Sequence, residues 1–215
     1  MKNYVEVAYG EKEKPFGEYP LLLAAHLMHL YNLKKGMQIL DNGCGRGEFL
    51  HAFSSLGMIA AGTDISSFCP ETQIVDLDNE ALPFPDDFFD AVFSKSVIEH
   101  IANTEHYIKE MRRVLKPGGV LILMAPDWET QYRIFYQDPT HIHPWTVKSI
   151  NRILNMFEFK NVRSEKFVQL PRVWNSKIAN GVSRIIRLAG PVKKVHKNKF
   201  IRFSRELMVL GSGRK

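Results

Sequence analysis

The feature that most limits the folds open to this chain is Ile39-Leu40-Asp41-Asn42-Gly43-Cys44-Gly45-Arg46-Gly47, three glycines at alternate positions between a strand-like apolar run and a helix-like one. Glycine lets the backbone turn sharply and approach a ligand closely. A strand that ends in such a turn and opens a helix marks the ligand-binding edge of an α/β sheet. Dinucleotide-binding folds use such turns too, but the spacing separates them. Gly43-x-Gly45-x-Gly47 is not Gly-x-Gly-x-x-Gly, and Asp41 stands two positions before the first glycine. A carboxylate there repels a pyrophosphate, whereas a zwitterionic sulfonium ligand with no phosphate tolerates it.

Strand-like and helix-like segments alternate around this turn, the pattern of a parallel sheet covered by helices. The spacing predicts helices over 17–33, 48–56 and 103–115, and strands over 37–40, 59–63, 74–75 and 89–94. A further strand over 120–125 is a continuous apolar run, as burial on both faces requires. Beyond it, 146–156 reads as a helix, with Thr140 and Thr146 as candidate caps. Residues 161–170 and 200–210 read as strands on either side of a basic insertion at roughly 172–199. With 215 residues and no linker-like stretch, one domain is expected. It comprises an N-terminal helix and lid over 1–36, with Tyr4 and Tyr9 as candidate lid residues, a cofactor-binding core over 37–125, and an acceptor-side segment over 126–215.

Composition removes several classes. No run of 18 apolar residues exists to span a membrane, and Met1–Glu6 lacks the apolar centre of a secretion signal. Two cysteines, Cys44 and Cys69, are too few for a disulfide scaffold, which points to a reducing cytoplasm. The net charge of +6 is unevenly spread: residues 1–159 carry 14 basic and 21 acidic side chains, a balance of −7, while 160–215 carry 15 and 2, a balance of +13. A basic tail on an acidic body suggests that one surface meets an anion.

Three more segments end at the same sheet edge. Gly62-Thr63-Asp64 puts a carboxylate where ribose hydroxyls can donate to it, or where it serves as a turn residue. Ile74-Val75-Asp76-Leu77 does the same for an adenine amino group, and Phe89 to Ser94 ends the fourth strand. As a set, residues 37–125 resemble the class I S-adenosylmethionine-dependent methyltransferases, near the ubiquinone- and menaquinone-type enzymes. The motifs are Leu40-Asp41-x-Gly43-Cys44-Gly45-x-Gly47, Gly62-x-Asp64, Leu82-Pro83-Phe84-x-Asp86-x-x-Phe89-Asp90, Ser94 to His100 and Leu115-Lys116-Pro117-Gly118-Gly119. The resemblance implies a Rossmann-like three-layer α/β sandwich with a seven-stranded, mostly parallel sheet, its antiparallel last strand inserted between the fifth and sixth. It implies S-adenosylmethionine as cofactor, with Asp41, Gly43, Gly45 and Ser94 on the methionine side, Asp64 at the ribose, Asp76 and Leu77 at the adenine, and Cys44 and Ile65 among the cofactor-binding residues. One departure stands out: Pro70 breaks the segment 65–73, where the family has a full helix.

Tyr136-Gln137-Asp138-Pro139-Thr140-His141-Ile142-His143-Pro144-Trp145 resembles segments of methyltransferases that accompany glycan-building enzymes. His141 and His143 alternate and are expected to point the same way, and a histidine suits a general base near neutral pH. A structural turn is the plainer reading. Asp138 with His141 and His143 supplies few ligands for a metal, and none is assigned. His100 is a positioning residue or a further base. Ile178, Val182, Ile185, Ile186 and Ala189 share one helical face opposite Lys177, Arg184 and Arg187, which reads either as a membrane-surface element over 177–199 or as a packed helix with a solvated basic side. The acceptor expected is a sugar, glycan or lipid-linked intermediate taking the methyl on oxygen, with C-methylation of a quinone-like lipid or methylation of RNA as rivals and a catalytically inactive, cofactor- or partner-binding methyltransferase-like protein as the non-enzyme alternative. Nucleic acid is disfavoured because Ser94-Lys95-Ser96-Val97 is not the Asn/Asp-Pro-Pro-Tyr type of segment that cradles a base amine.

Overall fold

The computed structural model describes residues 17–215; Tyr4 and Tyr9 lie outside the described residues. In chain order the elements are α1 (Tyr19–Tyr31), β1 (Gln38–Asn42), α2 (Glu48–Ser55), β2 (Ile59–Asp64), β3 (Thr72–Ile74), β4 (Phe89–Lys95), α3 (Thr104–Val114), β5 (Leu115–Pro126), α4 (Trp128–Gln131), a 3-10 turn (Phe135–Gln137), α5 (Val147–Met156), β6 (Lys160–Phe167), α6 (Pro171–Asn175), α7 (Lys177–Arg187), α8 (Lys199–Arg205) and β7 (Met208–Arg214). The strands hydrogen-bond in the order β3-β2-β1-β4-β5-β7-β6. β1 is parallel to β2 and β4, and β2 to β3, while β7 is antiparallel to β6. This is the seven-stranded Rossmann-like sheet that the resemblance implies, with the last strand between the fifth and sixth. The chain also falls into two compact units, one made of the described part of Met1–Ser94 with Glu105–Leu121, the other of Lys95–Thr104 with Ile122–Lys215.

In the first unit the central strands read as unbroken apolar runs because both faces are covered. Ile39, Leu40, Ala91, Val92 and Phe93 are fully buried. Phe49 and Phe53 of α2 meet Phe93 at ring-centroid distances of 5.1 and 5.4 Å. Asp90 braces the opposite strand end: one oxygen accepts from the Gln38 N–H at 2.8 Å and the other from Lys116 at 2.9 Å. Arg113 of α3 clamps the Leu82–Asp86 loop, donating to the carbonyls of Leu82 and Phe84 and to Asp86, while Glu110 holds Arg113 and accepts from the Leu82 N–H. Those partners hold the Glu110 carboxyl below its usual range and the Arg113 guanidinium above its own. Residues 65–71 form no helix, as Pro70 requires.

In the second unit α5 lies close against β7 because β7 carries glycines where it crosses. A Cβ at Gly211 would collide with Ile150 Cγ2, and one at Gly213 would stand 2.7 Å from Phe159 Cβ. Thr146 caps α5 in a reciprocal pair with Ser149. The segment 200–210, expected as a strand, is instead α8 followed by the start of β7. The Asn198 side chain accepts from the N–H groups of Phe200 and Ile201, which opens a helix, and Arg202 bonds Glu206 one turn on at 2.7 Å. Residues 168–207 leave the sheet and return to it where Phe167 pairs with Met208.

Gly211→Ala is expected to destabilise the protein by about 1–3 kcal/mol through overpacking against Ile150. Gly181→Ala, in α7 with open space around it, is expected to gain up to about 1 kcal/mol from helix propensity. Urea midpoints of the two variants check both signs.

Candidate functional site

The glycine turn after β1 holds itself closed. The Thr63 carbonyl accepts the N–H groups of both Gly43 and Cys44, at 2.8 and 2.9 Å. Asp64 Oδ2 accepts the Gly45 N–H at 2.8 Å, and the Cys44 carbonyl accepts that of Gly47 at 2.8 Å. A phosphate cradle works the other way, pointing such donors at the ligand. This turn therefore suits a ligand that brings no phosphate. Gly43, Gly45 and Gly47 have φ of 87°, 53° and 80°, a region that L side chains avoid. At Gly45 nothing lies within 4 Å of where a Cβ would be, which leaves room for a ligand, whereas at Gly47 and Gly62 the thiols of Cys69 and Cys44 take the space. Burial pushes the Cys44 thiol up to about 12, so it stays an uncharged packing group.

The strand-end residues differ in how they are engaged. Asp64 is buried; Oδ1 accepts the N–H and hydroxyl of Ser66 at 2.9 and 2.7 Å. A carboxylate has about four acceptor sites, so capacity for about one further donor remains beside the turn. Asp76 bends back into its own loop, accepting from the Asp78 N–H at 3.0 Å and the Asn79 amide at 2.9 Å. Ser94 bonds Tyr107 Oη at 2.6 Å. Asp41 and Leu77 are buried, while Ile65 is exposed.

The second unit gathers a different chemistry. His100 and His141 stand with ring centroids 4.8 Å apart. His141 Nδ1 meets the Phe135 carbonyl at 2.8 Å, and a carbonyl can only accept, so this nitrogen carries the hydrogen. The Thr140 hydroxyl donates to Asp138 Oδ1 at 2.6 Å and so accepts from His100 Nδ1 at 2.9 Å. Both rings thus have the lone pair on Nε2. Burial lowers the His100 pKa, reinforced by His141 and opposed by Asp138. His143 has other neighbours: its ring lies 6.2 Å from that of Trp145. The Ile142 and His143 N–H groups both donate to the Glu99 carbonyl, an acceptor that a regular strand does not offer to consecutive residues. The metal grouping considered from sequence, Asp138 with His141 and His143, does not form. The donors that converge are Glu99, His100 and His141.

Three residues escape sequence reasoning. Glu99 is 1% exposed, and its carboxylate has no hydrogen-bond partner beyond its own main-chain N–H among the described residues. Burial raises its pKa from 4.5 to about 8, opposed by its own main-chain N–H and then by Lys95. Asp127 follows the buried strand β5 and is fully buried, with Lys166 at 3.3 Å. A charge at the carboxyl end of an apolar strand was the available signal. Thr140 orders His100 rather than capping a helix. Trp128, Tyr132, Phe135 and Tyr136 form a ring cluster with Tyr132 and Tyr136 exposed, and Phe135 touches His141 at 4.4 Å.

A family model described as a methyltransferase domain matches residues 17–164. The chain is 33% identical over 135 residues to the probable tRNA methyltransferase 9B of Mus musculus, covering 59% of this chain and 30% of that protein. It is 30% identical over 136 residues to the sterol 24-C-methyltransferase ERG6B of Gibberella zeae, covering 55% and 34%. The chain thus spans about a third of the length of these curated relatives. Among solved structures, a SAM dependent methyltransferase from Archaeoglobus fulgidus matches with a TM-score of 0.66 at 21% identity, over 99% of this chain and 98% of that one.

Two outcomes follow from this geometry. Asp64→Ala frees the Gly45 N–H and removes a charged acceptor, so the Kd for S-adenosylhomocysteine by titration calorimetry is expected to rise at least about 10-fold. Glu99 binds its proton more tightly folded than unfolded, so its contribution to stability is full below pH 4.5 and falls as pH rises toward 8. In EDTA, Glu99→Gln should remove that slope and stabilise the protein at pH 8 by on the order of a few kcal/mol, read from thermal midpoints at pH 5 and 8.

Proposed function

This chain belongs to the S-adenosylmethionine-dependent methyltransferases, and from that premise we propose that it transfers the methyl group to a hydroxyl oxygen of a sugar, glycan or lipid-linked acceptor at an anionic membrane surface. S-adenosylmethionine is the methyl donor. Its sulfonium already makes the methyl carbon electrophilic, so the protein aligns the acceptor and eases loss of the hydroxyl proton. Asp41, Gly43, Cys44, Gly45 and Ser94 are the residues for the methionine portion, Asp64 and Ile65 for the ribose, and Asp76 and Leu77 for the adenine. Asp76 is the weakest member, since its oxygens already serve its own loop.

The observation that carries the membrane-surface part of this reading is the outer face of α7. A packed amphipathic helix buries its apolar side, but here Ser183 is the buried residue of the helix. Ile178, Ile185 and Leu188 are 82%, 69% and 84% exposed, with Val182 beside them. Lys177, Arg184, Lys193, Lys194, Lys197 and Lys199 are exposed on or just after the same helix. Apolar side chains flanked by cations suit the headgroup boundary of an anionic leaflet, where each cation contributes on the order of 1 kcal/mol. The position we propose is peripheral, on the cytoplasmic face; among the described residues no helix is long and apolar enough to cross a membrane. His141 and His100, with His143 two residues on, are the groups assigned to the acceptor hydroxyl, and the exposed rings of Tyr132 and Tyr136 give a sugar face a surface to stack on.

Flotation with phosphatidylglycerol-containing vesicles tests the surface. Wild type is expected to float and Ile185→Asp with Leu188→Asp to lose at least about 10-fold in partitioning; equal recovery removes the membrane. Transfer of labelled methyl groups to extracted lipid-linked saccharides, tested beside quinol lipids and tRNA, reads the acceptor. Label confined to tRNA or to a quinol ring carbon overturns the reading. His141→Ala is expected to lower turnover about 10²-fold or more with unchanged S-adenosylhomocysteine affinity.

A further inference from the structure

Glu99 and His100 follow β4, and His141 follows the 3-10 turn more than 40 residues later. The two segments are tied by the Ile142 and His143 N–H groups at the Glu99 carbonyl, at 2.9 and 3.1 Å. One donor atom of each of the three side chains lies within 4.8 Å of the others. We propose that Glu99, His100 and His141 form a binding site for a divalent first-row transition-metal ion, with zinc the best match to the donor set.

Four features support it. Two imidazoles and one carboxylate are the ligands of catalytic zinc sites that keep a position open. Ligand atoms on tetrahedral zinc stand roughly 3.4 Å apart, so closure by little more than an ångström completes the site. Both rings carry their hydrogen on Nδ1, held by the Phe135 carbonyl and by Thr140, which leaves Nε2 as the ligating atom. Such outer hydrogen bonds orient ligating histidines in known metal sites. Finally, the Glu99 carboxylate is buried with no hydrogen-bond partner beyond its own main-chain N–H among the described residues, and a cation is the partner that such a group requires. Asp138 Oδ2, 3.9 Å from His141 Nε2, adds negative charge beside the site. A second trio, His51, Cys69 and Glu71, lacks these features: Glu71 is exposed and the Cys69 thiol donates to it at 3.0 Å.

An ion held this way offers its open position to an oxygen ligand and lowers that oxygen's pKa. That consequence rests on the hydroxyl-acceptor reading above; the metal site itself does not.

Full-length protein stripped with EDTA and titrated with zinc chloride is expected to bind one ion per chain by calorimetry and elemental analysis. Cobalt(II) is expected to give the visible absorption of a four- or five-coordinate site. Glu99→Gln and His141→Ala should weaken zinc at least about 100-fold, and Thr140→Val about 10–100-fold, while His143→Ala and His51→Ala leave it unchanged. No stoichiometric ion in wild type overturns the proposal, as does loss of binding in His143→Ala or His51→Ala. The cobalt spectrum of wild type decides the matter even where a variant fails to fold. Methyl transfer to a hydroxyl that persists in EDTA with no ion bound removes the ion from the reaction and spares the hydroxyl reading. Tight binding with transfer to another atom does the reverse.

Discussion

Four main-chain N–H groups of the Gly43–Gly47 turn are spent on the protein's own acceptors, and the donor side of the molecule depends on that arrangement. The Thr63 carbonyl and the Asp64 carboxylate stand at the end of the neighbouring strand, so β2 determines the shape of the turn after β1. The glycines are needed because three residues take left-handed φ values in succession at alternate positions. The two cysteines fill the hollows that Gly47 and Gly62 leave, as small buried apolar groups. A turn satisfied from within needs no ligand to hold its form, which lowers the ordering cost of binding. It also turns four of its N–H groups inward, away from where a phosphate-bearing rival would need them.

The second unit is built on the opposite condition. Where four N–H groups of the glycine turn have acceptors within the protein, the Glu99 side chain is buried with no hydrogen-bond partner beyond its own main-chain N–H among the described residues. Burying a carboxyl without partners costs several kcal/mol, and folds retain such costs where chemistry needs them. The surroundings are consistent with that: two imidazoles with fixed tautomers, a threonine that relays between Asp138 and His100, and rings that shield one side.

Much of this was legible in the residues. The glycine spacing, the carboxylates at strand ends and the alternation of apolar runs specify the sheet and its ligand edge, since each has one simple structural cause. Pro70 marks the segment before β3 as one that forms no helix, and none forms there. What escaped reading depends on distance in sequence. Glu99 looks like an ordinary helix-flanking acid until residues 140–143 close over it. The shared carbonyl of Glu99, which takes the N–H groups of both Ile142 and His143, is likewise invisible in the alternation of His141 and His143. The strand expected over 200–210 failed because alternating Phe, Ile and Phe among Arg and Ser fits two periods, and Asn198, a cap outside the window, decides between them. The apolar side of α7 is plain in sequence, but whether it faces core or solvent is a tertiary fact.

The segment 168–207 leaves β6 and re-enters β7 at two residues that face each other across a hydrogen-bonded pair, Phe167 and Met208. Closing a loop depends only weakly on its length once its ends are fixed. The excursion can therefore lengthen, shorten or change its surface while the strand pair beneath it keeps its register. A scaffold so arranged lets one methyl-donor core be retained while the part that decides where the protein works is exchanged wholesale, as a tool head is changed on a common shaft.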